Sequence, residues 1–150
     1  TDYIKRLIGL PGDKVKFTDG KLILNNKEIS KKLILNEISL YCGKRQIDVN
    51  LFKEKLPSGK DYNAAYFKSG SYKNSDEFII PSKHFFFLGD NRDCSKDSRY
   101  LTSVGYVHKD NIVGKAQFIF FSSDYRIASF FKFWRWNETI RLDRFLKKIT

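Results

Sequence analysis

Apolar and polar residues alternate one by one at the start of the chain, the period of a strand with one face against a core. Over residues 3–8, Tyr3, Lys5 and Leu7 fall on one side, and Ile4, Arg6 and Ile8 on the other. Leu10-Pro11-Gly12-Asp13 then ends the run: Pro11 fixes φ at the first central position of a type II turn and Gly12 supplies positive φ at the second. The next segment, KVKFTDGKLIL (residues 14–24), reads as a hairpin around Asp19-Gly20 that pairs Phe17 with Leu22 and Val15 with Leu24 on one face. Asn25-Asn26 turns the chain again toward residues 27–29, so the beginning is a β-meander.

Residues 30–78 hold short alternating pieces broken by Gly, Ser, Asn and Pro, the pattern of ribbons and loops. They predict a β-rich insertion or subdomain rather than a second independent core, set between two parts of one core, 1–29 and 79–150. Strands resume with EFIIP (77–81) and HFFFLGD (84–90), and NIVGKAQFIFFS (111–122) predicts another long apolar strand. The tail changes period. Leu142, Phe145, Leu146 and Ile149 recur at helical spacing with Arg141, Arg144, Lys147 and Lys148 opposite, which predicts a short amphipathic helix that Asn137 could cap. The fold class expected is mostly β, with antiparallel sheets, a β-rich insertion and a short C-terminal helix.

The length of 150 residues allows one domain with a real core. Lys and Arg number 28 against 17 acidic residues, a net charge of +11 that draws a chain toward nucleic acid, anionic lipid or acidic substrates without choosing among them. An aromatic fraction of 16% excludes a disordered basic tail. Methionine is absent, so the chain is expected to be a processed product or a piece of a longer one. No window approaches the roughly 18 consecutive apolar residues of a membrane span, and any anchor or targeting segment is expected upstream. Cys42 and Cys94 are too few for a disulfide scaffold and lack the CxxC spacing of a zinc site. Free thiols are the ordinary reading, with a bridge in an oxidising compartment as the alternative. Nothing local marks Cys94 as a nucleophile activated by His84 or His108.

The densest chemistry is GDNRDCSKDSR (89–99), at the end of the apolar run Phe85, Phe86, Phe87 and Leu88. A loop of this composition is ordinarily a solvated surface loop. Here it hangs from a strand that must be buried, and a rigid element is where sites are usually placed. Asp97 and Arg99, two apart, point the same way in extended chain and favour a structural ion pair, with Ser95 on the same side.

YIKRLIGLPGD (3–13), GDNRDCSKDSR (89–99) and VGYVHKDNIVGKAQFIFFS (104–122), in this order around a variable insertion, resemble bacterial type I signal peptidase, the membrane-bound Ser/Lys leader peptidase. Within the insertion the match runs loosely through FKEKLPSGKDY (52–62). Cys94 stands where the family commonly has Asn, and His108 where it commonly has Pro. The resemblance implies coiled antiparallel β-sheets of the signal peptidase type and hydrolysis of signal peptides after small residues, Ala-x-Ala-like. It implies Lys5 as general base, Ser95 as the residue that orients it, Asp97 and Arg99 as the ion pair holding the loop, and Asp90 and Arg6 as further members of that network. An amine takes a proton from a serine only when neutral, which near pH 7 requires a dry surrounding; Tyr3 and Leu7 are expected to supply that wall while Arg6 points away. The substrate is expected to lie extended beside Asp2, Tyr3 and Ile4.

The family's nucleophile sits in a Ser-x-x-Pro motif. Three residues before Pro11, Pro57 and Pro81 stand Ile8, Glu54 and Phe78, so the nucleophile is expected upstream, with its oxyanion donors and a membrane anchor. No metal or organic cofactor is implied. The expected partners are signal peptides of exported pre-proteins and the membrane lipid surface, with the domain on the outer face of the bacterial plasma membrane and no nucleic acid. Trp134, Trp136 and the tail helix would lie at that surface or, the weightier alternative, pack under the domain. Two rivals remain: a nucleic-acid-binding β module, from the alternation of aromatic and basic residues in FKFWRWNETIRLDRF (131–145), and a catalytically inactive signal peptidase-like protein.

Overall fold

Turn chemistry places the strands that follow residue 13 where the sequence predicts them. The structure, a computed structural model, describes residues 2–68, 72–123 and 139–149. Strand β1 (Arg6–Gly9) ends at the Pro11-Gly12 turn, where Gly12 has a φ of 88° and the Asp13 amide donates to the Leu10 carbonyl at 3.0 Å. Strands β2 (Lys14–Thr18) and β3 (Lys21–Leu24) pair with Val15 opposite Leu24 and Phe17 opposite Leu22, the expected register. Asp19 and Gly20 take positive φ values of 49° and 72°, the type I′ geometry whose twist matches that of the strands. Asn25 and Asn26 repeat the device before β4 (Lys27–Glu28).

Two long strands follow, β5 (Ser30–Cys42) and β6 (Arg45–Lys55), a hairpin turned at residues 43 and 44. Strand β7 (Asp61–Phe67) adds to the free edge of β6, giving the sheet order β5-β6-β7. β5 is largely exposed, but β7 is not: Tyr62, Ala64 and Tyr66 enter the same core as the meander. Strand β8 (Phe78–Ile79) pairs with β2, completing a four-stranded sheet β4-β3-β2-β8. Strand β9 (His84–Leu88) pairs with β1, setting Arg6 opposite Leu88, and carries β10 (Val107–His108) on its other edge.

The core joins Ile8, Val15, Phe17, Leu22 and Leu24 to Phe78, Ile80, Phe86 and Leu88. Each such side chain contributes roughly 1.5–3 kcal/mol on burial. Packing is close enough at β1 that a Cβ on Gly9 would lie 2.3 Å from Ile80 Cδ1, so a side chain there would require the Ile80 terminal methyl to move. All of this belongs to one compact unit, Thr1–Val113.

The second unit, Gly114–Thr150, corrects two expectations. The long apolar strand shrinks to β11 (Phe118–Ile119), and the tail forms no amphipathic helix among the described residues. Leu142–Arg144 makes one 3-10 turn, Leu146 takes a positive φ of 53°, and β12 (Lys147–Lys148) pairs antiparallel with β11. A helix of two turns is marginal unless its apolar stripe is covered. Leu142 and Leu146 are exposed, so strand pairing satisfies the backbone instead. Trp134, Trp136 and Asn137 lie outside the described residues. No helix among the described residues is long and apolar enough to cross a membrane.

Candidate active site

Strand β9 delivers the polar loop to the end of β1. There Lys5 Nζ, partly buried, donates to Ser95 Oγ at 2.7 Å, across 90 positions of sequence. Gly89 makes that approach feasible, because a Cβ at this position would lie 2.0 Å from Ser95 Oγ and 3.5 Å from Lys5 Nζ. Space rather than backbone conformation demands glycine here. The sequence reading did not single out Gly89; a glycine closing a buried strand just before a polar loop was the available signal.

Ser95 is only 8% exposed, and the residues after it are locked down. The Asp97 carboxylate, fully buried, accepts from the Gly89 amide at 2.9 Å and from Arg99 Nε and Nη2 at 2.8 and 2.9 Å. Arg99 Nη2 also donates to the Arg92 carbonyl. Ser98 pairs with Phe87 in both directions, accepting from its amide at 2.9 Å and donating its own amide to its carbonyl at 3.1 Å. The geometry thus brings Ser95, Asp97 and Arg99 together as the alternation suggests. Arg6 meets Asp90 through two bonds of 2.8 and 3.0 Å, with its guanidinium stacked 4.3 Å from the Tyr62 ring centroid.

A second network supports the loop from beneath, and the sequence reading missed it. Arg92 and Glu54, each 1% exposed, pair through bonds of 3.1 and 2.7 Å. Tyr62 donates to Glu54 at 2.6 Å, Tyr66 donates to the other carboxylate oxygen, and both phenolic oxygens accept from Arg92 at 3.1 and 2.6 Å. Burial, reinforced by the Glu54 charge and opposed by Arg92, pushes both tyrosine hydroxyls well above their ordinary range, so they stay protonated as donors. Burial pulls the Arg92 guanidinium down, but Glu54 and the phenols outweigh it and the group stays charged. A charge at Glu54 between the outward Lys53 and Lys55 was the signal, since alternation turns it inward.

Residues 90–93 lie against β7 almost as a further strand. The Ala65 amide donates to the Asp90 carbonyl at 2.7 Å, the Arg92 amide to the Ala65 carbonyl at 2.9 Å, and the Phe67 amide to the Asp93 carboxylate at 2.7 Å. At the end of this run Cys94 is disulfide-bonded to Cys42, with Cα atoms 5.6 Å apart. Free thiols were the ordinary expectation; the bridge forms because the β5–β6 hairpin returns its turn to this loop, a long-range meeting that cysteine spacing does not display.

The start of the chain departs from the reading. Strand pairing begins only at Arg6, and among the described residues the backbone of residues 2–5 pairs with no strand. Asp2, Tyr3 and Ile4 are exposed. The Tyr3 ring centroid lies 5.9 Å from Lys5 Nζ, yet Tyr3 is 68% exposed and Leu7 39% exposed, so the two do not wall off the amine as expected. Among the described residues no group of three His, Cys, Asp or Glu could hold a metal.

Comparison with known proteins gives the family of the chain. The family model for signal peptidase, peptidase S26, matches residues 1–121. The chain is 39% identical to signal peptidase I of Rickettsia prowazekii (strain Madrid E) and 38% identical to that of Rickettsia typhi (strain ATCC VR-144 / Wilmington). Each match covers 98% of this chain and 59% of the relative, so the chain spans 59% of the length of these relatives. A solved signal peptidase I from Enterococcus faecalis V583 is 28% identical, covering 75% of this chain and 80% of that chain at a TM-score of 0.40. On the family model, which matches most of the chain, the chain belongs to the signal peptidase, peptidase S26, family.

Proposed function

We propose that the intact protein removes signal peptides from exported pre-proteins, cutting after small residues of the Ala-x-Ala kind by a Ser/Lys dyad. This chain contributes Lys5 as the general base and Ser95 as its positioning residue, and the nucleophilic serine comes from outside these 150 residues. The observation that carries the reading is the 2.7 Å bond from Lys5 Nζ to Ser95 Oγ over the bare floor of Gly89. A neutral amine has two N–H bonds and one lone pair. Holding one N–H on Ser95 aims the lone pair away from the loop, toward a hydroxyl that approaches from the open side.

In the acylation step Lys5 takes the proton of the serine hydroxyl as its oxygen attacks the scissile carbonyl, then returns it to the departing amine. Water, deprotonated by Lys5, then attacks the acyl-serine ester, and Lys5 passes that proton to the serine oxygen as the acyl group leaves as a carboxylic acid. Around this centre the charges are internally paired: Asp97 with Arg99, and Arg6 with Asp90. Asp97 and Arg99 hold the loop.

The unpaired backbone of residues 2–5 supports an extended substrate that adds beside Asp2, Tyr3 and Ile4. Apolar side chains of such a peptide would cover the face that Tyr3 and Leu7 leave open and so dry the amine. The Cys42–Cys94 disulfide supports placement in an oxidising compartment, and the +11 charge supports attraction to an anionic lipid surface. The full domain is assigned to the outer face of the plasma membrane. Incubating the full-length protein with an exported pre-protein, and mass-measuring the new N-terminus, tests the reading. Cleavage after the small residue, lost when that residue is made bulky, is expected; cleavage elsewhere or none would overturn it.

A further inference from the structure

We propose that the Cys42–Cys94 disulfide is a positioning device for Ser95, so that its redox state sets the rate of the Lys5-dependent reaction. The inference rests on the roles of Lys5 and Ser95 argued above.

Cys94 immediately precedes Ser95. On the far side of Ser95 the chain is fixed by Asp97, which holds the Gly89 amide and Arg99. On the near side, the contacts to β7 stop at Asp93, whose carboxylate takes the Phe67 amide. The Cys94 amide reaches Asn91 Oδ1 only at 3.4 Å, and the firm tie at this residue is the covalent one to Cys42. Cys42 in turn closes β5, an edge strand that is largely exposed and, among the described residues, pairs with β6 alone. The disulfide therefore clamps the short segment that presents Ser95 to Lys5. A hydrogen bond of 2.7 Å tolerates little displacement, and a loosening of about 1 Å at a positioning group is costly to rate.

Both cysteines are partly exposed, so a dithiol can reach them. One thiolate of the dithiol attacks a cystine sulfur and forms a mixed disulfide, releasing one protein thiol. The second thiolate displaces the other protein thiol and closes a cyclic disulfide. Two electrons and two protons pass to the protein, and the dithiol is oxidised. Reduction leaves the Arg92 network, the Asp97 clamp and residues 2–5 in place, so turnover should fall while substrate affinity holds.

The test compares full-length protein, oxidised or reduced with dithiothreitol, by kcat and KM on a signal-peptide substrate, with thiols counted by alkylation and mass. The expected result is a kcat lower by about ten-fold or more on reduction, within the roughly hundred-fold that a 1 Å misplacement can cost, with KM within about two-fold. Reoxidation should restore it, and the Cys42→Ser, Cys94→Ser double variant should show the low kcat and ignore dithiothreitol. Hydrogen exchange is read alongside: residues 93–96 should exchange faster while Val15 and Phe86 keep their protection. An unchanged kcat in fully reduced protein overturns the proposal. So does a fall accompanied by lost protection at Val15 and Phe86, which would make the bridge a fold-wide staple. If neither form cleaves, the peptidase reading fails on its own, and exchange over 93–96 decides the positioning claim: unchanged exchange sinks it.

Discussion

Gly89 and Ser95 meet so closely that a single methyl group separates a working arrangement from a blocked one. A Cβ at Gly89 would overlap Ser95 Oγ at 2.0 Å and Ser95 Cβ at 2.3 Å, while only touching Lys5 Nζ at 3.5 Å. Gly89→Ala in the full-length protein is therefore expected to break the Lys5–Ser95 bond and lower kcat by about ten- to a hundred-fold. Overpacking should also cost about 1–3 kcal/mol of stability. Steady-state kinetics beside urea melts check both; full activity in a folded variant would show that the loop can shift and that the pair does not depend on this contact.

Glu54 and Arg92 form a fully buried pair, and removing one charge strands the other. Glu54→Gln is expected to destabilise the domain by about 3–5 kcal/mol, more than a loss at the exposed Lys21–Glu28 pair, which is worth about 1 kcal/mol or less. Chemical denaturation of both variants makes the comparison. Equal, small effects would mean that the buried network does not anchor the loop.

Tyr62 and Tyr66 give this network a pH signature. Burial raises both hydroxyls above their unfolded values, so the unfolded chain loses these protons first as pH rises past about 10 while the folded one keeps them. Stability from these groups is complete below that pH and declines above it, by about 1.4 kcal/mol per pH unit for each proton. The stability gap between wild type and Tyr66→Phe should thus narrow in alkali. A gap that stays constant from pH 8 to 11 would contradict the assignment.

Local chemistry made the meander legible. Asp19-Gly20 and Asn25-Asn26 specify type I′ turns, and those turns fix the pairing of Val15 with Leu24 without reference to the rest of the chain. The site was legible differently: Lys5 is one lysine among many, and only the resemblance at YIKRLIGLPGD and GDNRDCSKDSR raised it above a surface group. Contacts that depend on distant segments stayed hidden, as with Cys42 meeting Cys94 through the long hairpin, and Arg92 reaching Glu54. The tail failed for a further reason. Its helical spacing was real, but spacing predicts a helix only when a surface covers the stripe, and Leu142 stays exposed.

In the roles proposed for Lys5 and Ser95, the 150-residue chain alone offers a base and its positioning serine, with no serine three residues before a proline. Expressed by itself it should leave a pre-protein uncut, since a missing nucleophile costs far more than a missing contact. Turnover by this chain that vanishes in Ser95→Ala would make Ser95 the nucleophile rather than the residue that positions Lys5.

The most direct measurement is turnover by the full-length protein beside Lys5→Ala and Ser95→Ala on one pre-protein substrate. Loss of the base should remove cleavage to below about a thousandth of wild type, whereas loss of the positioning hydroxyl should leave a residue of about one to ten per cent with KM little changed. Full activity in Lys5→Ala, or identical and complete loss in both, would contradict a base at Lys5 held in place by Ser95.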